Sequence, residues 1–238
     1  MKAKRIIAVL LGLALICCVL EYKGIIWHNS IFAMKYEIKG LDVSHYQGDV
    51  DWKTVAETEK YQFVYMKDTE GNDFTDDTFN KNWEGAKENG FLTGAYHFFS
   101  ARSTGEQQAE HFISIVPKEA ASLPPVIDIE IALTHDPAAI AHELMMMSDK
   151  FEEAYNKKPI LYVTYDTYNK YVAGRFEGYD IWIRDIVKYP TLKGKQKWLL
   201  WQYCNRGRVD GIDAYVDINV FVGNQTDFDF KFMGKGIL

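Results

Sequence analysis

The chain has 238 residues, 47% of them apolar, with 27 basic against 33 acidic side chains and a formal net charge of −6. That is enough apolar material for a sizeable core, and an acidic balance offers no broad basic surface, which argues against nucleic acid as a partner. Fifteen Tyr and six Trp suit core packing and, equally, the apolar faces of sugar rings.

Met1-Lys2-Ala3-Lys4-Arg5 is basic, and Ile6 to Leu20 is a fifteen-residue run without a charge. This is the pattern of a secretory n-region and h-region, so the chain is expected to be exported. Fifteen residues fall short of the roughly twenty of a membrane span, yet no small-x-small cleavage site follows, and Ile25-Ile26-Trp27 resumes the apolar character. Residues 1–36 are therefore expected to be a removed signal peptide or a single membrane signal-anchor. In the second case Glu21 to Tyr36 forms a short tether ahead of one domain over 37–238. Cys17 and Cys18 lie inside the run, but Ile16 before them is not the small residue that lipid modification prefers. Cys204 stands alone in the body of the chain, so no internal disulfide is expected there and a buried apolar role is. Neither HxxxH nor CxxC spacing occurs, so no metal or other cofactor is expected.

From Lys39 onward, short apolar runs alternate with helix-compatible stretches. Eight runs read as strands: 39–44, 62–67, 92–98, 125–130, 160–165, 180–184, 198–203 and 215–221. Between the early ones, 76–89, 104–116 and 137–156 carry helical patterning, the last opened by Pro137 after Asp136. Alternating strand and helix imply parallel pairing, and eight strands imply closure into a barrel. Pro190 and Gly194 in 186–197, with Gly207 and Gly211 in 205–214, argue against late crossover helices, so the expected α/β fold is an irregular TIM-like barrel in a single domain. A doubly wound open sheet competes, but neither GxGxxG nor GxxxxGK[ST] follows the first strand.

The fourth run reads PPVIDIEIAL, Pro124 to Leu133. Strand side chains alternate, so Asp128 and Glu130 share a face with Val126, and Ile127, Ile129 and Ile131 take the other. Polar residues recur at or just past the carboxyl ends of the other runs too: Asp42, Glu70, His97, Tyr165, Arg184, Gln202 and Asp217. That is the face where barrel enzymes keep their active sites. Singly, Asp42 with Ser44 could cap a turn, His97 could be a satisfied core imidazole, and Asp217 with Asn219 could anchor a loop. Acids converging from the first, fourth and last strands are harder to explain that way. Carboxylates gathered in one water-poor mouth push one another's pKa values apart, leaving one protonated to donate and another ionised to stabilise positive charge. Glycoside hydrolysis needs that pairing.

Six motifs in order, D42-V-S-H-Y-Q-G48, V50-D-W52, G94-A-Y-H-F98, V126-I-D-I-E130, W201-Q-Y203 and D217-I-N-V-F221, resemble glycoside hydrolase family 25, the Chalaropsis-type lysozymes. The likeness runs from about Gly40 to Gly223. It implies a modified barrel of five βα units and three further strands, (β/α)5(β)3. It also implies cleavage of the β-1,4 bond between N-acetylmuramic acid and N-acetylglucosamine, with peptidoglycan glycan strands as partner and a monomer as the working unit. By the family pattern Glu130 is the general acid and Asp128 its ionised partner, acting on the acetamido group or the developing charge. Asp42 and Asp217 complete the acidic floor. Tyr96, Tyr162 and Gln202 line the sugar groove, with Glu70 and Trp182 added to the substrate-binding set.

Two departures stand out. Asp68 occupies a position where the family more often has a small residue, an added carboxylate that either shifts local pKa values or faces solvent, and Trp182-Ile183-Arg184-Asp185 stands where small residues commonly follow the Trp, which either alters the outer sugar or peptide-stem contacts or is an ion pair. Two other functions compete: a wall-binding domain that keeps the groove without turnover, and a chitinase-like hydrolase, whose acidic run DxxDxDxE does not occur here.

Overall fold

The computed structural model describes residues 2–234, so Met1 and 235–238, the outer ends of the two expected spans, lie outside the described residues. After helices α1 (Lys2–Tyr22) and α2 (Ser30–Ala33), the chain alternates β1 (Lys39–Val43), α3 (Trp52–Glu57), β2 (Phe63–Glu70), β3 (Phe74–Thr75), α4 (Phe79–Glu88), β4 (Leu92–Phe98), α5 (Gly105–Ile115), β5 (Val126–Ile129), α6 (Pro137–Tyr155), β6 (Ile160–Val163) and α7 (Tyr165–Thr167). It ends with β7 (Ile181–Arg184), β8 (Leu200–Val209), β9 (Ile212–Phe221) and α8 (Gln225–Met233). The sheet runs β1-β9-β8-β7-β6-β5-β4-β2-β3 and closes through β1–β2, so eight strands form the barrel and β3 is an extra edge on β2. Five βα units followed by three strands is the arrangement the sequence implies.

One feature differs from the expected parallel pairing: β9 runs antiparallel to both β8 and β1. Only Asp210 and Gly211 separate β8 from β9, and Gly211, at φ +96°, makes the tight turn, so there is no chain for a crossover. The glycines read from sequence as interrupting a late connection instead sit in and at the end of a long hairpin.

Side-chain alternation sorts the barrel into two cores. Phe63, Tyr65, Val126, Ile160, Trp182, Leu200 and Phe221 pack inside the barrel. Their neighbours Val64, Met66, Ile127, Ile129, Leu161, Ile183 and Trp201 face outward against the helices. The helices start where local chemistry demands it. Asp136 accepts from Ala139 N ahead of Pro137, and Thr104 forms a capping box with Gln107.

Strands without following helices leave their outer faces bare, and here the N-terminal segment covers them. Trp198, Trp201 and Tyr203 belong to the outer core together with Ala33 and Tyr36. The Trp27 indole donates to Tyr203 O at 2.5 Å, and buried Asn29 donates to Asp185 O at 3.0 Å. Tyr36 meets Trp198 edge-on at 5.5 Å. Glu21 to Tyr36, expected as a tether, is thus a strap in the place of a missing helix. Its upper end is held by Arg206 and Arg208, which donate to Tyr22 O, the last carbonyl of α1, and to Lys23 O just past it, at 2.7 Å each. Beyond the last expected strand, α8 inserts Phe228 and Phe232 among Phe63 and Phe221 and plugs the barrel at the end opposite the mouth.

Phe228 is 2% exposed and Phe230 69%. Phe228→Ala is therefore expected to cost about 3–5 kcal/mol, and Phe230→Ala well under 1 kcal/mol, in paired thermal or urea unfolding.

Candidate active site

At the carboxyl ends of the strands lies a cleft of about 360 Å3. Asp42, Asp128, Glu130 and Asp217 line it, as do Glu70, Tyr96, Tyr162 and Trp182. Asp42 pairs directly with Asp217 across the antiparallel β1–β9 register, and Asp128 sits beside Tyr162 on the parallel β5–β6 register. Asp128 is 7% exposed, while Glu130, just past the end of β5, is exposed at the mouth.

Burial is the first influence on all four acids. It raises Asp42 well above the usual carboxylate range, reinforced by the charge of Asp217, and it raises Asp217 to about 6 against the pull of Arg184. Asp128 is raised well above its ordinary value by burial and by the charges of Glu130 and Asp42, with Lys67 and Arg184 opposing. Glu130 is raised by burial and lowered by Arg184. Burial thus raises both members of the Asp128–Glu130 pair, and Arg184 opposes the rise in each.

Supporting residues fix the array. The Trp182 indole donates to Asn219 Oδ1 at 2.9 Å, and Asn219 Nδ2 donates to Asp42 Oδ2 at 2.7 Å. Trp182 therefore works both as a wall and as a support. Gln202 does not line the cleft. It is 1% exposed, accepts from the Tyr162 hydroxyl and hydrogen-bonds Asp217, so it braces two groups that do line the cleft. Arg184 ends β7 and Asp185 follows it, and the two form no ion pair with each other among the described residues. The Asp185 carboxylate accepts from Tyr165 and from Val187 N and Lys188 N. Tyr165 and His97 also stand outside the cleft. His97 donates from Nε2 to Gln108 Oε1 and accepts from Thr69 at Nδ1, and burial lowers it to about 4, so it is a neutral structural imidazole.

Sequence reasoning missed Lys67, Phe98 and Tyr46. Lys67 is 7% exposed, pairs with Glu70 at 2.8 Å, and stands over the Phe74 and Phe98 rings. Strict alternation would put Lys67 and Glu70 on opposite faces. A β-bulge at Asp68 restores them to the same side, because the β2–β4 register shifts between Lys67 and Thr69. Tyr46, 76% exposed beside the acids, follows the D-V-S-H segment and could have been found as an aromatic next to a strand-end acid.

The sequence profile described as Glycosyl hydrolases family 25 matches residues 41–212. An Escherichia coli K12 protein described as "Uncharacterized protein YegX" is 34% identical over 192 residues, 79% of this chain and 71% of its own. Lysozyme M1 of Streptomyces globisporus is 31% identical over 207 residues, 79% of this chain and 68% of its own. Among solved structures, a family 25 glycosyl hydrolase from Bacillus anthracis superposes with a TM-score of 0.80 at 43% identity, over 84% of this chain and 95% of that one.

Asp68, the bulge residue, is fully buried with neither carboxylate oxygen hydrogen-bonded. Burial, helped by the charge of Asp76, raises it from 3.8 to about 7. The folded state therefore holds this proton more tightly than the unfolded chain. Its contribution to stability is full below the unfolded value and is lost as pH rises from about 4 to about 7, up to about 4 kcal/mol. Asp68→Asn is expected to remove that decline, so that the variant gains on the wild type between pH 5 and pH 8 in urea unfolding.

Proposed function

The chain belongs to glycosyl hydrolases family 25, and on that premise we infer that it is a peptidoglycan hydrolase, an N-acetylmuramidase. The substrate is the glycan strand of the cell wall, and the bond cut joins N-acetylmuramic acid to N-acetylglucosamine. The site is assembled within one chain, which supports action as a monomer.

The observation that carries the residue roles is Asp128 Oδ1, buried in the cleft without a hydrogen-bond partner, next to exposed Glu130. An unpartnered buried acceptor is costly, and a substrate acetamido N–H meets its requirement. Donation of that N–H favours the Asp128 carboxylate, which leaves the proton the two acids share on Glu130 when substrate is bound. Glu130 then delivers it to the glycosidic oxygen as the C1–O bond breaks. Ionised Asp128 holds the acetamido group against the positive charge growing at C1. Asp42 and Asp217 bind sugar hydroxyls and tune the pair, and Tyr96, Tyr162 and Tyr46 present aromatic faces to the rings. Lys67 and Arg184 offset the summed negative charge.

Residues 4–22 form a helix, no part of it buried, long and apolar enough to cross a membrane, a property shared by signal sequences. We place an uncleaved signal-anchor there and the exported catalytic body from Tyr22 onward. The docking of the strap on the barrel, with Arg206 and Arg208 on the carbonyls of Tyr22 and Lys23 where α1 ends, supports this reading.

Glu130→Gln is expected to lower release of reducing ends from purified peptidoglycan on the order of 10²-fold or more without moving the unfolding midpoint. Activity within a few-fold of wild type would remove Glu130 from its role. Mass spectrometry of the membrane-fraction protein is expected to find residues 4–22 still attached; a mature chain beginning after Lys23 would overturn the anchor.

A further inference from the structure

Glu70 borders both the acid cleft and a second one of about 510 Å3. One wall is the β2–β3 turn with Asn72, Asp73 and Phe74, and the other is the loop after β4 with Ser100 and Arg102. Both walls are fixed from beneath. Fully buried Gln108 accepts from Ser100 N at 2.8 Å and donates to Ser100 O at 2.8 Å and Ser103 O at 3.0 Å. On the turn side Gly71 N donates to Phe98 O at 3.2 Å, and His111 bonds Asn72 O at 2.9 Å and Thr75 Oγ1 at 3.0 Å. The cleft is preformed, so a ligand need not order it.

Its chemistry differs from that of the sugar groove. Arg102 and Asp73 are exposed, and neither forms an ion pair among the described residues. The Arg102 side chain makes one long contact, 3.4 Å from Nε to Ser100 Oγ. Phe74 adds a half-open apolar face. Uncharged saccharides have no use for an unpaired guanidinium opposite an unpaired carboxylate. A peptide with carboxylates and an amino group does, because each charge gains a charge-assisted hydrogen bond. In peptidoglycan such a peptide branches from the lactyl ether of muramic acid, and must leave the sugar groove sideways.

We propose that this side cleft receives the peptide stem of the muramic acid residue, with Arg102 binding a stem carboxylate and Asp73 a stem amino group, and so makes stem-bearing strands the preferred substrate. The proposal rests on the muramidase reading and extends it. The test compares the full-length enzyme on intact glycan strands and on the same strands stripped of stems by an amidase, reading kcat/KM for release of reducing muramic acid ends. Wild type is expected to favour stem-bearing strands. Arg102→Ala is expected to lower the stem-bearing to stripped ratio on the order of tenfold, Asp73→Asn to lower it less, and Arg102→Lys to restore part of it. A ratio of one in the wild type overturns the proposal, as does a variant that slows both substrates equally or neither. Release of no muramic acid ends from either substrate by the wild type would overturn the muramidase reading itself, and the proposal with it.

Discussion

Four carboxyl groups in one water-poor mouth are the constraint on which this barrel depends. Two like charges about 4 Å apart repel by about 4 kcal/mol at the effective dielectric of a protein surface, and more where water is excluded. The array is tolerable only because protons are retained on some members and cations face the others. Asp42 is held up by burial and by Asp217 across the sheet, and Asp217 is eased by Arg184. Lys67, itself buried, is tied to Glu70 rather than to Asp128 or Glu130, so its charge is felt by Asp128 without a contact that would fix the proton. The same repulsion that makes the site costly keeps a proton available for transfer.

Barrel closure and chemistry are one event. Because β9 returns antiparallel to β1, the last strand brings Asp217 to the acid of the first strand, two residues before Asn219. Asn219 in turn joins Asp42 to Trp182 on β7. A parallel closing strand would have needed a crossover helix and would have put its carboxyl end, not its middle, at the mouth. The two-residue turn at Asp210-Gly211 therefore determines the geometry of an acid about six residues away.

Much of this was legible in the sequence, because period-two alternation and the order of elements survive without knowledge of contacts. Val126, Asp128 and Glu130 share the inner face, and Ile127 and Ile129 the outer, as alternation requires. What was not legible depends on partners distant in sequence. Nothing local marks Asp68 as a bulge, and without the bulge the common face of Lys67 and Glu70 is invisible. Gln202 looks like any strand-end amide until the fold brings the Tyr162 hydroxyl onto it. The strap over β8 was missed because its apolar residues follow directly on a membrane-like run and read as its continuation.

The chain enters and leaves the catalytic body at opposite poles. The strap starts against Asp185, just past the mouth-side end of β7, and Tyr203 within β8, and α8 closes the far end among Phe63 and Phe221. For anyone immobilising or extending this protein, the two ends are thus not equivalent. A surface, label or second module joined behind α8 leaves the groove open to a long polymer, whereas one joined ahead of the strap stands beside the entrance and competes with that polymer for approach.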